Sequence, residues 1–364
     1  MYAAEIFLKD WRNLAEINLR PEGAINIFLG NNAQGKTNIL ESINFASLLR
    51  SRAGKESELI RWGETAAILR IRYVKAGVSH NLAIEISTER KRRILLDANP
   101  IRPRELIGKL NSVLFSPEDL FMFKSSPMIR RKFLDAQISQ AMPIYFLELS
   151  KYNRLVELRN ALLKKIREGS TPASDLELWD EQLAEYAAKV ISKRLMAVDK
   201  LNSLANSVQK KISAQAETLS VVYDLRGVES YGNLAEDFLE ALRSRRFKDI
   251  QRGYTSIGAH LDDLKFFING RELKLFGSQG QLRTAALALK LSELKFLKSA
   301  TGEYPILLLD DVMSELDAER RELLLEFLSR EKIQTLITAT DRAYFPSQHF
   351  GKIFMVKGGR INGA

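Results

Sequence analysis

The sequence predicts an α/β fold built around a phosphate-binding loop and interrupted by a mainly helical insertion. Three observations support this. The stretch FLGNNAQGKTNILESI (Phe28–Ile43) reads as strand, glycine loop and helix. A strand-and-helix pattern returns beyond Tyr254 and includes an apolar run ending in two carboxylates, ILLLDD (Ile306–Asp311). Between the two regions, apolar residues recur every three or four positions, the period of amphipathic helices.

Taken in order, AINIFL (Ala24–Leu29) alternates apolar residues into the loop, and Ile39, Leu40 and Ile43 follow at helical spacing. HNLAIEI and RILLDAN flank the charged tip STERKRR and predict a hairpin. From about Ile138, residues Tyr145, Leu149, Tyr152, Leu155, Val156, Leu162, Leu163 and Ile166 mark one helix, which GSTPAS (Gly169–Ser174) breaks. A second helix begins near Asp175 with Trp179, Leu183, Val190, Ile191, Val198, Leu201, Leu204, Val208 and Ile212 on one face. Its roughly 40 residues span about 60 Å, enough for a helical hairpin or small helical domain but not a remote coiled-coil arm. A third helix is expected over Asn233–Arg252. Then come the strand LKFFING, the helix QLRTAALALKLSELKFL, the buried strand PILLLDD, a helix over Ala318–Arg330, the strand QTLITAT, and a strand pair about Phe354 and Arg360. The α/β domain is thus expected over residues 1–115 and 256–364, with a helical insertion over 116–255.

The phosphate loop is the strongest local signal. Gly30, Gly35, Lys36 and Thr37 satisfy G-x-x-x-x-G-K-[ST], and the expected nucleotide contacts are Gly30, Asn31, Asn32, Ala33, Gln34, Gly35, Lys36, Thr37 and Asn38. Glycines let successive N–H groups turn toward a phosphate, Lys36 reaches the outer phosphates, and Thr37 offers a hydroxyl to a magnesium ion. The helix opening at Lys36 adds its positive end.

The chain has 364 residues, 45% of them hydrophobic, more than one core usually serves. It has no cysteine, which excludes disulfides, thiolate metal sites and cysteine nucleophiles and fits a reducing compartment. There is no signal-peptide pattern and no apolar run of membrane-spanning length, so a cytoplasmic protein without membrane association is expected. The formal charge is +10, and the first 115 residues hold 18 basic against 12 acidic side chains. Such an excess favours a polyanionic partner such as nucleic acid.

A second set of residues completes the nucleotide chemistry. On a central parallel strand, Asp310 would emerge beside the phosphate loop and hold magnesium through water, with Asp311 where a base for the attacking water would sit. Ser278, Gln279, Gly280 and Gln281 open a helix whose N–H groups and Ser278 hydroxyl form another anion-binding end, or simply a serine N-cap on a glycine turn. One nucleotide needs one cradle, so the second suggests a nucleotide held by another copy of the chain.

The order of phosphate loop, SQGQ, LLLDD and SELD resembles the ATP-binding cassette type of ATPase head found in Rad50 and the SMC proteins. That resemblance implies that Ser278 contacts the outermost phosphate of ATP on a facing subunit, that Asp317 lies along the dimer seam, and that ATP and Mg2+ join two heads. A closer resemblance is to the RecF family, carried by FLGNNAQGKTNILESI, ELIRWG, LFSPEDL, RRKFLD, GYTSIGAHLDDL, SQGQLRTAALALKL and LLLDDVMSELD across nearly the whole chain. It implies an ATP-dependent DNA-binding protein of recombinational repair with weak, DNA-stimulated ATPase activity. It further implies an ATP-dependent homodimer, a RecR partner acting with RecO in recombinase loading, and DNA that is double-stranded, gapped or a single/double-strand junction. The chain departs from related patterns at Asp311, shorter than the usual glutamate, and at Thr340 and Asp341, where a switch histidine is common. Ala259 and Leu261 replace a proline and a basic residue, while His260, Asp262 and Asp263 are read as strand-end structure rather than a metal trio.

Candidate DNA contacts are the basic clusters Arg50, Arg52 and Lys55; Arg90–Arg93, with Arg92 and Arg93 foremost; Arg102 and Arg104; and Arg130, Arg131 and Lys132. None interleaves aromatics, so backbone contact without sequence specificity is expected. Two rival readings are the ATPase subunit of a membrane transporter and an architectural DNA clamp that binds ATP without turnover.

Overall fold

The computed structural model describes residues 1–51, 54–227, 232–345 and 351–362. In chain order the strands are β1 (Tyr2–Trp11), β2 (Leu14–Leu19), β3 (Ile25–Leu29), β4 (Ala66–Lys75), β5 (Val78–Ser87), β6 (Arg93–Leu96), β7 (Asn99–Pro100), β8 (Ser112–Phe115), β9 (Leu219–Asp224), β10 (Asp263–Ile268), β11 (Arg271–Glu272), β12 (Ile306–Asp310), β13 (Thr335–Ala339), β14 (Lys352–Lys357) and β15 (Arg360–Asn362). The helices are α1 (Lys36–Leu48), α2 (Pro103–Leu106), α3 (Pro127–Ala141), α4 (Pro143–Arg167), α5 (Leu176–Ile212), α6 (Leu234–Arg252), α7 (Leu273–Phe276), α8 (Gln279–Thr301) and α9 (Ala318–Glu331).

Two compact units emerge: Met1–Phe121 with Lys211–Ala214 and Leu282–Ala364, and Met122–Lys210 with Gln215–Gln281. In the first, β2-β1-β4-β5-β6-β7 form an antiparallel sheet and β15-β14-β3-β13-β12-β8 a second sheet, parallel except for β15. β3, β12 and β13 are buried along their whole length, as a parallel strand covered on both faces should be. The antiparallel strands instead alternate, with Ile6, Leu8, Leu69, Ile71 and Ile84 turned inward. One apolar cluster joins those residues to Ile39, Leu40, Ile43 and Phe45 of α1 and to Phe28, Leu308, Leu336 and Phe354 of the parallel sheet. Trp11 meets Phe45 at 5.6 Å between ring centroids, and Phe28 stacks on Phe354 at 5.0 Å. α1 is therefore buried on nearly every side, which holds the loop before it.

The second unit contains α3, α4, most of α5, α6 and the sheet β11-β10-β9. Prolines at the first turns of α3 and α4 start those helices where a missing N–H costs nothing. α5 runs 37 residues, about 55 Å. The division differs from the sequence expectation at its later boundary. Residues 256–281 belong to the second unit because β10 pairs with β9 in antiparallel register, Asp263 opposite Asp224 through Ile268 opposite Leu219. β9 was not anticipated, so the second unit carries a three-stranded sheet beside the helices expected of it.

Candidate functional site

Two glycines shape the phosphate loop. A Cβ on Gly30 would meet the Val356 carbonyl oxygen at 2.3 Å, because β14 lies directly beside β3. Gly35 has φ +101°, and its Cβ would meet Leu14 Cδ2 at 2.6 Å and Asn13 Oδ1 at 2.7 Å. The residues between are braced from two turns. Asn13 Nδ2 donates to the Ala33 carbonyl at 3.4 Å, and its Oδ1 accepts from Asn38 Nδ2 at 2.8 Å. Gln34 Oε1 accepts the Gly358 N–H at 2.6 Å, the Gln34 carbonyl accepts that of Gly359 at 3.2 Å, and Gln34 Nε2 donates to the Asn32 carbonyl at 3.3 Å.

Strand order then brings the carboxylates in. β13 lies between β3 and β12, with Thr338 opposite both Phe28 and Asp310, so three parallel strands deliver their carboxyl ends to one place. Thr37 Oγ1 donates to Asp310 Oδ1 at 2.8 Å across 273 residues of sequence. Thr338 Oγ1 donates to the same oxygen at 3.0 Å and accepts the Asp311 N–H at 2.9 Å. Lys36 is buried and donates to the carbonyls of Gly30 and, at 2.8 Å, Asn31.

Electrostatically the site is a cation and two carboxylates in a partly dry space. Burial lowers the Lys36 ammonium pKa, with Asp311 and Asp310 opposing. Burial raises the Asp311 carboxyl, Lys36 opposes, and Asp310 and Glu315 push the same way as burial. Asp311 takes the left-handed conformation at φ 54°, and its Oδ1 is buried without a hydrogen-bond partner among the described residues. An orphaned carboxylate oxygen beside a hydroxyl-bound carboxylate and a buried ammonium fits a divalent cation and a polyphosphate. The oxygens are of the hard type that magnesium takes. Among the described residues no cluster of three His, Cys, Asp or Glu could supply a protein-only cage.

The Ser278–Gln281 segment forms a reciprocal cap on α8. Ser278 Oγ accepts the Gln281 N–H at 3.2 Å, and Gln281 Oε1 accepts the Ser278 N–H at 3.1 Å. Ser278, Gln279 and Gly280 are exposed. Asp317 caps α9, accepting the Arg320 N–H at 2.9 Å and pairing with the Arg320 guanidinium. That backbone hydrogen bond first, then the arginine, holds its carboxyl below the usual range.

Residues 2–362 match the family described as RecF/RecN/SMC N terminal domain. A DNA replication and repair protein RecF from Halothermothrix orenii is 42% identical over 376 residues, covering 99% of this chain and 98% of that one. The chain belongs to the RecF family. A solved structure of the recombination mediator protein RecF with ATP, described in the RecFOR pathway, superposes with a TM-score of 0.91 at 36% identity and covers 100% of this chain and 97% of that one. An SMC head bound to the C-terminal winged-helix domain of ScpA shares the fold at a TM-score of 0.58 and 14% identity, covering 100% of this chain and 96% of that one. The ATP-binding cassette type of head is thus the fold of this RecF-family chain.

The basic clusters divide. Arg50, Lys55 and Arg93 are exposed, Arg92 pairs with Glu56, and Arg52 lies outside the described residues. Arg130 does not belong with them. It is 2% exposed and gives Asp263 two hydrogen bonds, Nε to Oδ1 at 2.8 Å and Nη2 to Oδ2 at 2.7 Å. Its charge is spent inside the second unit, as a buried arginine's must be. Arg131 is half-buried and donates to the Asp262 carbonyl at 2.6 Å. The His260 trio is likewise structural: its ring nitrogens meet Tyr152 Oη at 2.7 Å and the Thr255 carbonyl at 3.2 Å, and Asp262 accepts from Tyr223 Oη and the Arg226 N–H. Burial pushes the His260 imidazole down to about 4. Sequence reading missed Thr338, although a hydroxyl near the carboxyl end of the apolar strand TLITA was a signal. It also missed Asn13 and the bracing role of Gln34, for which no local signal exists.

No helix among the described residues is long and apolar enough to cross a membrane.

Proposed function

We propose that this RecF-family chain is an ATP-dependent DNA-binding switch, in which two copies close head to head on DNA and slow, DNA-stimulated hydrolysis releases them. The observation that carries the reading is the Thr37–Asp310 hydrogen bond at 2.8 Å, which unites the phosphate loop with the acidic strand end. Lys36 and the N–H groups over Gly30–Asn38 would hold the phosphates of ATP, and Thr37 with Asp310 would hold Mg2+. Bound magnesium would supply positive charge against the phosphate oxygens. Asp311, its Oδ1 without a partner among the described residues and its carboxyl pKa raised by burial, would accept a proton from the attacking water.

In the closed pair, Ser278 of each copy would face the nucleotide on the other, with Asp317 along the seam. The Ser278 oxygen accepts a backbone N–H, so its own proton is available to an outside acceptor. Nucleotide contacted by both subunits favours the dimer only by its extra affinity for that state. The exposed Arg50, Lys55 and Arg93 would contact the DNA backbone of duplex, gapped or single/double-strand junction substrates. Family membership supports RecR and RecO as partners in loading recombinase at gaps and stalled forks, in the cytoplasm.

The test is light scattering with magnesium, with and without ATP, repeated with duplex DNA. The mass should double only with ATP, and Lys36→Ala should abolish the doubling. Ser278→Arg should spare nucleotide binding by the monomer yet block pairing. Doubling by Lys36→Ala, or pairing by Ser278→Arg, would sink the scheme. Phosphate release with DNA present separates a switch with turnover from a clamp without it.

A further inference from the structure

We propose that Glu217 is a positioning residue for the Ser278–Gln281 segment, acting through Gln281 and tying that segment to the C-terminal part of α5. Glu217 lies in the connection between α5 and β9, outside the segments that carry the family resemblance. Its two oxygens have different tasks. Oε1 accepts from Gln281 Nε2 at 3.0 Å, and Oε2 accepts from Gln209 Nε2 at 2.8 Å. Gln209 is fully buried on α5.

The chemistry of these groups fixes a direction. An ionised carboxylate only accepts, so Glu217 obliges Gln281 to present its NH2 group to it. The amide oxygen of Gln281 must then point the other way, to where it accepts the Ser278 N–H. Were the amide flipped, two donors would face each other at Ser278 and the cap would open. The Ser278 N–H favours this orientation from one side of the amide, and Glu217 reinforces it from the other. The closed cap in turn leaves the Ser278 hydroxyl proton for an outside acceptor. Gln209 bears on the same carboxylate, so a displacement of that part of α5 reaches Ser278 through two hydrogen bonds. The functional half of this inference rests on the cross-subunit role given to Ser278 above.

The test uses the full chain and three variants. Glu217→Lys replaces the acceptor by a donor and should flip the Gln281 amide. Amide exchange in the peptide containing Ser278–Gln281 should become about five- to tenfold faster, the fold-change of a typical lost cap. The protein concentration for half-maximal pairing with ATP should rise by a similar factor, while binding of a fluorescent ATP analogue by the monomer is unchanged. Gln281→Glu places two carboxylates together and should do the same, which covers a failure of Glu217→Lys to fold. The exchanged pair, Glu217→Gln with Gln281→Glu, restores one donor and one acceptor and should recover both readouts. Gln209 needs no change in this exchange, because the amide at 217 turns its NH2 group to the carboxylate at 281 and its oxygen still accepts from Gln209 Nε2. Unchanged exchange in the single variants, or no recovery in the exchanged pair, overturns the proposal. A parent chain that never doubles in mass with ATP would overturn the head-to-head reading instead, and the exchange readout would still decide the role of Glu217.

Discussion

Thr338→Val should separate what a hydroxyl does at this site from what a side-chain shape does. Thr338 is 0% exposed, and valine keeps its branched outline, so no cavity contributes. Two hydrogen bonds disappear: the one given to Asp310 Oδ1 at 3.0 Å and the one accepted from the Asp311 N–H at 2.9 Å. A hydrogen bond to a charged group is worth about 1.5–3 kcal/mol, and a buried N–H left without a partner costs about 1–3 kcal/mol. Asp310 keeps its bond from Thr37, which places its share at the low end. The two losses share a turn and do not simply add, so the expected destabilisation is about 2–4 kcal/mol in urea unfolding. Thr338→Ser keeps the hydroxyl and should cost only about 1 kcal/mol for the lost methyl. The magnesium concentration for half-maximal ATP-linked pairing should rise about 10- to 100-fold in Thr338→Val, because the carboxylate loses an orienting partner. A valine variant within about 0.5 kcal/mol of the parent, inside the scatter of ordinary substitutions, or with an unchanged magnesium midpoint, would refute the reasoning.

Further outcomes follow from the same kind of accounting. Burial raises the Asp311 pKa, so the folded state keeps a proton that the unfolded state loses, and stability falls as pH rises from about 4 through the raised value. Asp311→Asn should therefore abolish phosphate release yet be more stable than the parent at neutral pH, the difference closing below about pH 4; equal melting temperatures at neutral pH would contradict this. Glu293 is fully buried beside Lys290, and burial, opposed by Lys290 and aided by Asp119, pushes its carboxyl up to about 8. Parent stability should thus decline between about pH 4 and 8, and Glu293→Gln should flatten that decline; parallel curves would count against it. Arg130→Ala strands Asp263 in the second unit and should cost about 3–5 kcal/mol, while DNA affinity at low temperature, measured on folded protein by anisotropy, stays unchanged; a selective loss of affinity would return Arg130 to the DNA surface.

Those parts of the site whose physics is local could be read in the sequence. The loop Gly30–Thr37, the helix after it and the acid-tipped strand Ile306–Asp310 each carry their signal within a dozen residues. Their meeting was legible only as an inference from order, since the Thr37–Asp310 contact depends on β13 lying between β3 and β12. Arg130 misled because burial is not written beside it: its partner Asp263 stands 133 residues away. β9 was missed because LSVVYD is short and follows a long helix, and its pairing with β10 moved the later unit boundary. Ser278 showed its helix-cap role locally, whereas the Glu217 contact that orients Gln281 crosses 64 residues.

The placement of β3 has a consequence for biosynthesis. It is made long before its neighbours β13 and β14, and Asn26 waits for Thr335, 309 residues later, to be made. Until β13 is made, an apolar strand has two open edges, the condition that invites mispairing between nascent chains. The loop's brace at Gly358 and Gly359 arrives later still. Maturation of this chain should depend on chaperones that shield β3, and codon changes that slow synthesis before β13 should lower the soluble yield without altering the finished protein.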